Sequence, residues 1–171
     1  MTDKPTFTIR PATPADAALI LQFVRELAEY ERLSHEVVAT EPEYSRHLFS
    51  ERPYAEVLFA CEEGVEVGFA LFFPTFSTFL GRPGLHLEDL FVRPEFRGRG
   101  YGKALMVAVA RLTLERGYGR FEWSVLDWNE PSIRFYHSLG AKPMDEWTTQ
   151  RVSGSELDNL AALPLPGESG E

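Results

Sequence analysis

Three glycines at alternate positions, Gly98, Gly100 and Gly102, separate an apolar strand pattern from a helical one. Without Cβ atoms, the backbone of Arg97-Gly98-Arg99-Gly100-Tyr101-Gly102 can take φ > 0 and approach a ligand closely. A helix start directly behind such a loop presents free N–H groups and a positive dipole end, which favour an anion. Arg93, Arg97, Arg99 and Lys103 reverse the local sign of a chain whose net charge is −9. The expected guest is a phosphate or pyrophosphate; the bland reading is a glycine turn among solvated arginines. A P-loop needs a hydroxyl after its lysine, and Ala104 follows Lys103. A dinucleotide fingerprint needs G-x-G-x-x-G after a first strand; here the spacing is G-x-G-x-G behind at least three earlier strands. A phosphorylated cofactor of another kind is expected.

The rest of the pattern is that of a mixed α/β (α+β) domain. Phe7–Arg10, Val57–Cys61, Val65–Phe73 (closed by Pro74), Leu85–Val92, Phe121–Leu126 and, weakly, Thr148–Val152 read as strands. Helices are predicted behind Thr13-Pro14 with the stripe Ile20, Val24, Leu27, and behind Thr40 with a capping box to Glu43. Two more are predicted after Gly102, with Leu105, Ala108, Val109 and Leu112 on one face, and after Asn129, stopped by Gly140. A single domain over 6–153 is expected, then a C-terminal segment, 154–171, loose from about residue 163. The acidic balance disfavours nucleic acid and anionic membrane as partners and suits a cationic substrate. No apolar run is long enough to span a bilayer, and the first residues show no apolar leader. Cys61 is the only cysteine and the four histidines lie far apart, so no disulfide and no metal are expected, and a reducing cytoplasm is the expected compartment.

The strand, Arg-Gly-x-Gly-x-Gly and helix resemble the acetyl-CoA signature of the GNAT superfamily of N-acetyltransferases. Glu26-Leu27-Ala28-Glu29-Tyr30-Glu31, Leu87-Glu88-Asp89, and Asp127-Trp128-Asn129-Glu130-Pro131-Ser132 followed by Phe135-Tyr136 resemble its diamine (spermidine/spermine) and thialysine branch. The resemblance spans about residues 7–152. It implies a mixed, twisted, mostly antiparallel sheet with a V-shaped splay, flanked by helices, and a homodimer. It implies transfer of an acetyl group from acetyl-CoA to a primary amine of a small cationic substrate, by direct attack in a ternary complex. The alternatives are a silent acyl-CoA-binding or regulatory module and an amino-acid N-acyltransferase of the same fold.

Acids inside an apolar strand need a reason, and Glu88 and Asp89 interrupt one. Strand alternation predicts that they face opposite sides. The resemblance gives Glu88 the amine and its proton, and Tyr136 the protonation of the leaving thiolate. It gives Tyr30, Glu31 and Asp89 substrate contacts. Leu90, Phe91 and Val92 are implied to pair with the pantetheine arm through their backbone, with Asn129 and Ser132 on the same arm. Arg97, Gly98, Arg99, Gly100, Tyr101, Gly102 and Lys103 are implied to hold the pyrophosphate, with Tyr136 also touching the cofactor. Ser77 stands where polyamine enzymes carry an acid, which moves the resemblance toward the thialysine side.

Overall fold

The computed structural model describes residues 5–166, which fall into two units divided after Ser124. The first holds five strands, β1 (Phe7–Pro11), β2 (Glu56–Glu62), β3 (Val65–Ser77), β4 (Arg82–Val92) and β5 (Phe121–Trp123), and three helices, α1 (Ala17–Tyr30), α2 (Glu41–Leu48) and α3 (Tyr101–Glu115). Sheet order follows chain order. The first three pairings are antiparallel, and β4 pairs with β5 in parallel. That last pairing requires a crossover, which α3 supplies.

Phe23 of α1 anchors the core on one face of the sheet, its ring 5.3 Å from Phe69 and 5.8 Å from Phe59. Ile20, Leu27, Val57, Leu71 and Phe91 complete that cluster. On α3, Leu105 and Val109 of the expected stripe are buried and Ala108 and Leu112 half-buried, while Met106, outside that stripe, is buried as well. Capping boxes open the helical segments at Thr13 and Thr40, with Asp16 and Glu43 accepting from the cap backbone at 2.7 Å.

The structure departs from the sequence expectation in three places. Pro74 does not close its strand: β3 runs on to Ser77, with Pro74 opposite Leu85. The β2 ladder ends at Phe72, so beyond it β3 is an edge strand, where a missing N–H costs nothing. The turn to β4 is short; Ser77 is buried and accepts the Leu80 N–H at 3.2 Å. The strand expected over Phe121–Leu126 stops at Trp123. Residues 148–152 form no strand: they are polar apart from Val152 and offer no apolar face to bury, so β-propensity alone does not hold them.

The second unit contains α4 (Glu130–Ser138) and α5 (Gly154–Ala161), the latter inside the segment expected to follow the domain. Part of the expected loose tail, residues 167–171, lies outside the described residues. No helix among the described residues is long and apolar enough to cross a membrane.

One ionic cluster ties the first strand to α1 and β3. Arg10 meets Asp16 with two hydrogen bonds of 2.8 Å and Glu66 at 2.6 Å, with its guanidinium 4.8 Å above the Phe59 ring. The Arg10 bond, assisted by Thr13, holds the Asp16 carboxyl well below the usual range. A depressed carboxylate contributes its stability above the ordinary pKa, near ~4, and loses it as pH falls. Asp16→Asn should therefore cost about 1–3 kcal/mol at pH 7. Urea melts at pH 7 and pH 3 should show the deficit narrowing in acid; a pH-independent deficit would assign Asp16 a packing role.

Candidate active site

The β3–β4 register breaks at the two acids. Leu71 lies opposite Asp89, but Phe72 lies opposite Leu87, so Glu88 is the extra residue of a β-bulge. A bulge interrupts alternation and re-aims side chains. Asp89 follows Leu71 onto the face covered by α1. Glu88 Oε2 lies 3.7 Å from Nε2 of His86, whose ring stacks on Phe73 at the margin of the same core. The expectation of opposite faces is thus corrected: both carboxylates attend the α1 side.

Their surroundings differ. Glu88 is exposed, whereas Asp89 is half-buried. Burial, then the charges of Glu88 and Glu31, push the Asp89 carboxyl up to about 7. Glu31 caps the C-terminus of α1, and burial raises its carboxyl too. The α1 terminus forms a Schellman motif, with Leu33 N–H bonded to Ala28 O and Arg32 N–H to Glu29 O. Arg32, at φ 62, occupies the left-handed position where glycine is usual.

At the bulge itself, β4 loses a neighbour. Its pairing with β5 covers Leu85, His86 and Leu87 and goes no further. Arg93 N–H donates to Val67 O at 2.9 Å. By antiparallel alternation, Asp89, Phe91 and Arg93 turn their backbone groups toward β3, while Leu90 and Val92 turn theirs to the open edge. Of the three residues expected to pair through their backbone, two have groups facing that edge. Phe91 faces β3, and its side chain is core.

The glycine loop follows. Gly98 and Gly100 have φ of +77° and +87°, and a Cβ on either would meet nothing within 4 Å. Conformation, not crowding by the protein, therefore demands glycine there. Gly102 is helical and has room for a methyl group. The first intrahelical bond of α3 runs from Ala104 N–H to Gly100 O at 2.9 Å. The N–H groups of Tyr101, Gly102 and Lys103 precede it and have no partner within the helix.

The four cations divide. Arg93 makes a bidentate pair with Glu26 at 2.8 and 2.9 Å and lies 4.5 Å over Phe23, which fastens α1 to the end of β4. Arg99 bonds both oxygens of Glu62 at 2.7 and 2.8 Å, and Glu62 also accepts from the Tyr101 hydroxyl. Tyr101 stacks on Phe7 with ring centroids 4.6 Å apart, so the start of α3 is pinned to β1 and β2. Arg97 and Lys103 have no carboxylate partner among the described residues. Arg97 donates instead to Val92 O at 2.8 Å and lies 4.7 Å over the Tyr30 ring. Sequence reasoning missed Glu26 and Glu62 because their partners are 67 and 37 residues away.

Asn129, Ser132 and Tyr136 lie in the second unit. Asn129 caps α4, accepting from Ser132 N–H at 3.4 Å. Gly140 ends the helix in a Schellman motif that uses Tyr136 O, and the Tyr136 ring lies 5.3 Å from that of Phe135.

The profile of the acetyltransferase (GNAT) family matches residues 22–141, a span containing the acidic bulge, the open edge and the glycine loop. The chain belongs to that family. This GNAT acetyltransferase is 38% identical over 164 residues to the thialysine N-epsilon-acetyltransferase of Sus scrofa, covering 90% of this chain and 96% of that one. It is 32% identical over 202 residues to the L-ornithine N5-acetyltransferase NATA1 of Arabidopsis thaliana, covering 92% and 89%. Among solved structures, an integron cassette protein from V. cholerae matches with a TM-score of 0.78 and 27% identity, over 92% of this chain and 98% of that one. The family membership agrees with the sequence resemblance, and the five-stranded mixed sheet with the expected fold class.

Asp89 gives the enzyme a pH signature. Its folded pKa lies above the ordinary value near ~4, so its contribution to stability is complete below about pH 4 and is lost as pH rises through 7. Asp89→Asn cannot ionise. Its melting temperature relative to the parent should climb from pH 5 to pH 8. A difference flat across that range would mean that Asp89 titrates as a solvated carboxylate.

Proposed function

We propose that the enzyme transfers the acetyl group of acetyl-CoA to the side-chain amine of a small cationic amino acid of the thialysine or ornithine type, by direct attack in a ternary complex. The observation that carries this reading is the arrangement along one segment of chain: clustered carboxylates, then an open strand edge, then a loop with orphan N–H groups. Each part suits one part of the reaction. The carboxylates suit an ammonium, the edge suits the amides of an extended pantetheine arm, and the loop suits a pyrophosphate.

A lysine-like amine has a pKa near ~10.4 and arrives protonated. Glu88, exposed at the bulge, draws the ammonium and accepts its proton, directly or through water. Asp89, near half ionisation at neutral pH, adds charge beside it. Glu31 and Tyr30 complete the amine side. The outward N–H groups of Leu90 and Val92 are available to the pantetheine amides and to the developing oxyanion. The loop, with Arg97 and Lys103, takes the pyrophosphate, while Glu62 holds Arg99 and Tyr101 so that the loop keeps its shape. For Asn129, Ser132 and Tyr136 the support is the family resemblance: the first two toward the pantetheine arm, and Tyr136 as the acid that protonates the departing thiolate. A homodimer working in the cytoplasm belongs to the same reading.

Release of free CoA thiol, followed with acetyl-CoA and a panel of L-thialysine, L-ornithine, spermidine and L-alanine, tests it. Thialysine and ornithine should turn over fastest. CoA binding without turnover of any amine would favour a silent binding module. Two variants test the assignments. Gly100→Val forces a branched side chain into the left-handed region, at about 1–2 kcal/mol, and should raise the acetyl-CoA KM at least tenfold, about 1.4 kcal/mol. An unchanged KM in folded protein would remove the loop from the site. Glu88→Gln should raise the amine KM and lower kcat together while sparing the acetyl-CoA KM. Its deficit should shrink as pH approaches the amine pKa; a deficit constant from pH 7 to 10 would give Glu88 a structural role.

A further inference from the structure

Arg97 differs from its neighbouring arginines in what holds it. Arg93 and Arg99 are neutralised by Glu26 and Glu62. The Arg97 guanidinium lies over two rings, 4.7 Å from the Tyr30 centroid and 5.4 Å from that of Phe91. Its Nε donates to the Val92 carbonyl, a group on the open edge of β4. Phe91 is a buried wall, whereas Tyr30 is 36% exposed at the last residue of α1. One side chain therefore touches the strand edge, the glycine loop to which it belongs, and the end of the helix that carries Glu31.

We propose that Arg97 is a positioning residue that couples the cofactor side of the site to the amine side, by holding the Tyr30 ring in place when an anion occupies the glycine loop. The inference deepens the function proposed above and rests on it. An anion at the loop fixes the guanidinium through its remaining N–H donors, since Nε is already committed. A fixed cation is a better platform for Tyr30 than a mobile one. The Tyr30 ring then stands ready beside Glu31 when the amine arrives. Linkage makes the effect reciprocal: whatever bound CoA does for amine affinity, bound amine does for CoA affinity. Exposed cation–π contacts are modest, so the coupling factor should be about two- to fivefold.

Calorimetry measures it directly. The Kd of L-thialysine is determined for the protein alone and for the protein saturated with CoA, which lacks the acetyl group and cannot react. The ratio is the coupling factor, and L-ornithine serves as a second probe. The parent should show amine binding about two- to fivefold tighter with CoA present. Tyr30→Phe keeps the ring and should keep the ratio. Tyr30→Leu should bring the ratio to about one while the Kd of CoA measured alone stays at the parent value. Arg97→Gln, saturated with CoA, should also lose the ratio, and adding Tyr30→Leu should change it no further. A purely structural role for Tyr30 would shift individual affinities and melting temperature but leave the ratio intact. The proposal is overturned if Tyr30→Leu retains the parent ratio, if the two substitutions act additively, or if the parent binds both ligands without coupling. Failure of the parent to bind CoA, or to bind either amine, would overturn the proposed function together with this inference.

Discussion

Pairing between β4 and β5 covers Leu85–Leu87, and at the next residue the ladder to β3 takes in an extra residue, Glu88. The site proposed on this sheet depends on that double interruption. The bulge turns Glu88 and Asp89 to the α1 side, where a regular strand would have divided them between two faces. The end of the β5 pairing leaves the outward N–H groups of Leu90 and Val92 with no strand beside them among the described residues, while the Val92 carbonyl accepts from Arg97. An unpaired edge is a liability in most proteins, because it invites any extended chain. Here the invitation is confined to a short stretch that leads directly into the glycine loop.

The electrostatics follow the same segment. Carboxylates gather at its start, and burial, then the charges of Glu88 and Glu31, push the Asp89 carboxyl up to about 7. Orphan N–H groups and unneutralised cations gather at its end. Two further cations of this segment are taken up by ion pairs. Arg93 spends its charge on Glu26 and locks α1 against the strand end, and Arg99 spends its charge on Glu62. The loop thus depends less on net positive charge than its sequence suggests, and more on backbone donors held in a fixed shape. Such donors are already organised before an anion arrives, which is the condition under which they discriminate best.

Much of this was legible in the sequence where the cause is local. Positive φ favours glycine, so Gly98 and Gly100 announced the loop. An acid in an apolar strand is an anomaly, so Glu88 and Asp89 announced themselves. Thr13-Pro14 and the capping box at Thr40 marked helix starts that the structure keeps. What was illegible depends on partners distant in the chain. The bulge is a matter of register between β3 and β4, and no pattern within Leu85–Val92 encodes it. Pro74 stops a strand only if its N–H is wanted, and the end of β2 decides that. Residues 148–152 have strand-like composition, yet they lack an apolar face. The carboxylates that claim Arg93 and Arg99 could not be chosen from among 26 acidic residues by spacing alone.

The central claim is that the outward backbone of Leu90 and Val92, continued by the loop from Gly98 to Lys103, is the surface on which CoA lies. Amide hydrogen exchange with and without CoA, resolved to single residues, tests it most directly. The account predicts that the Leu90 and Val92 amides exchange readily in the free enzyme and become protected on binding, together with those of Gly98–Lys103. The Phe91 amide, already directed to β3, should be protected in both states. CoA binding that leaves Leu90 and Val92 exchanging as before, with new protection elsewhere in the chain, would contradict it.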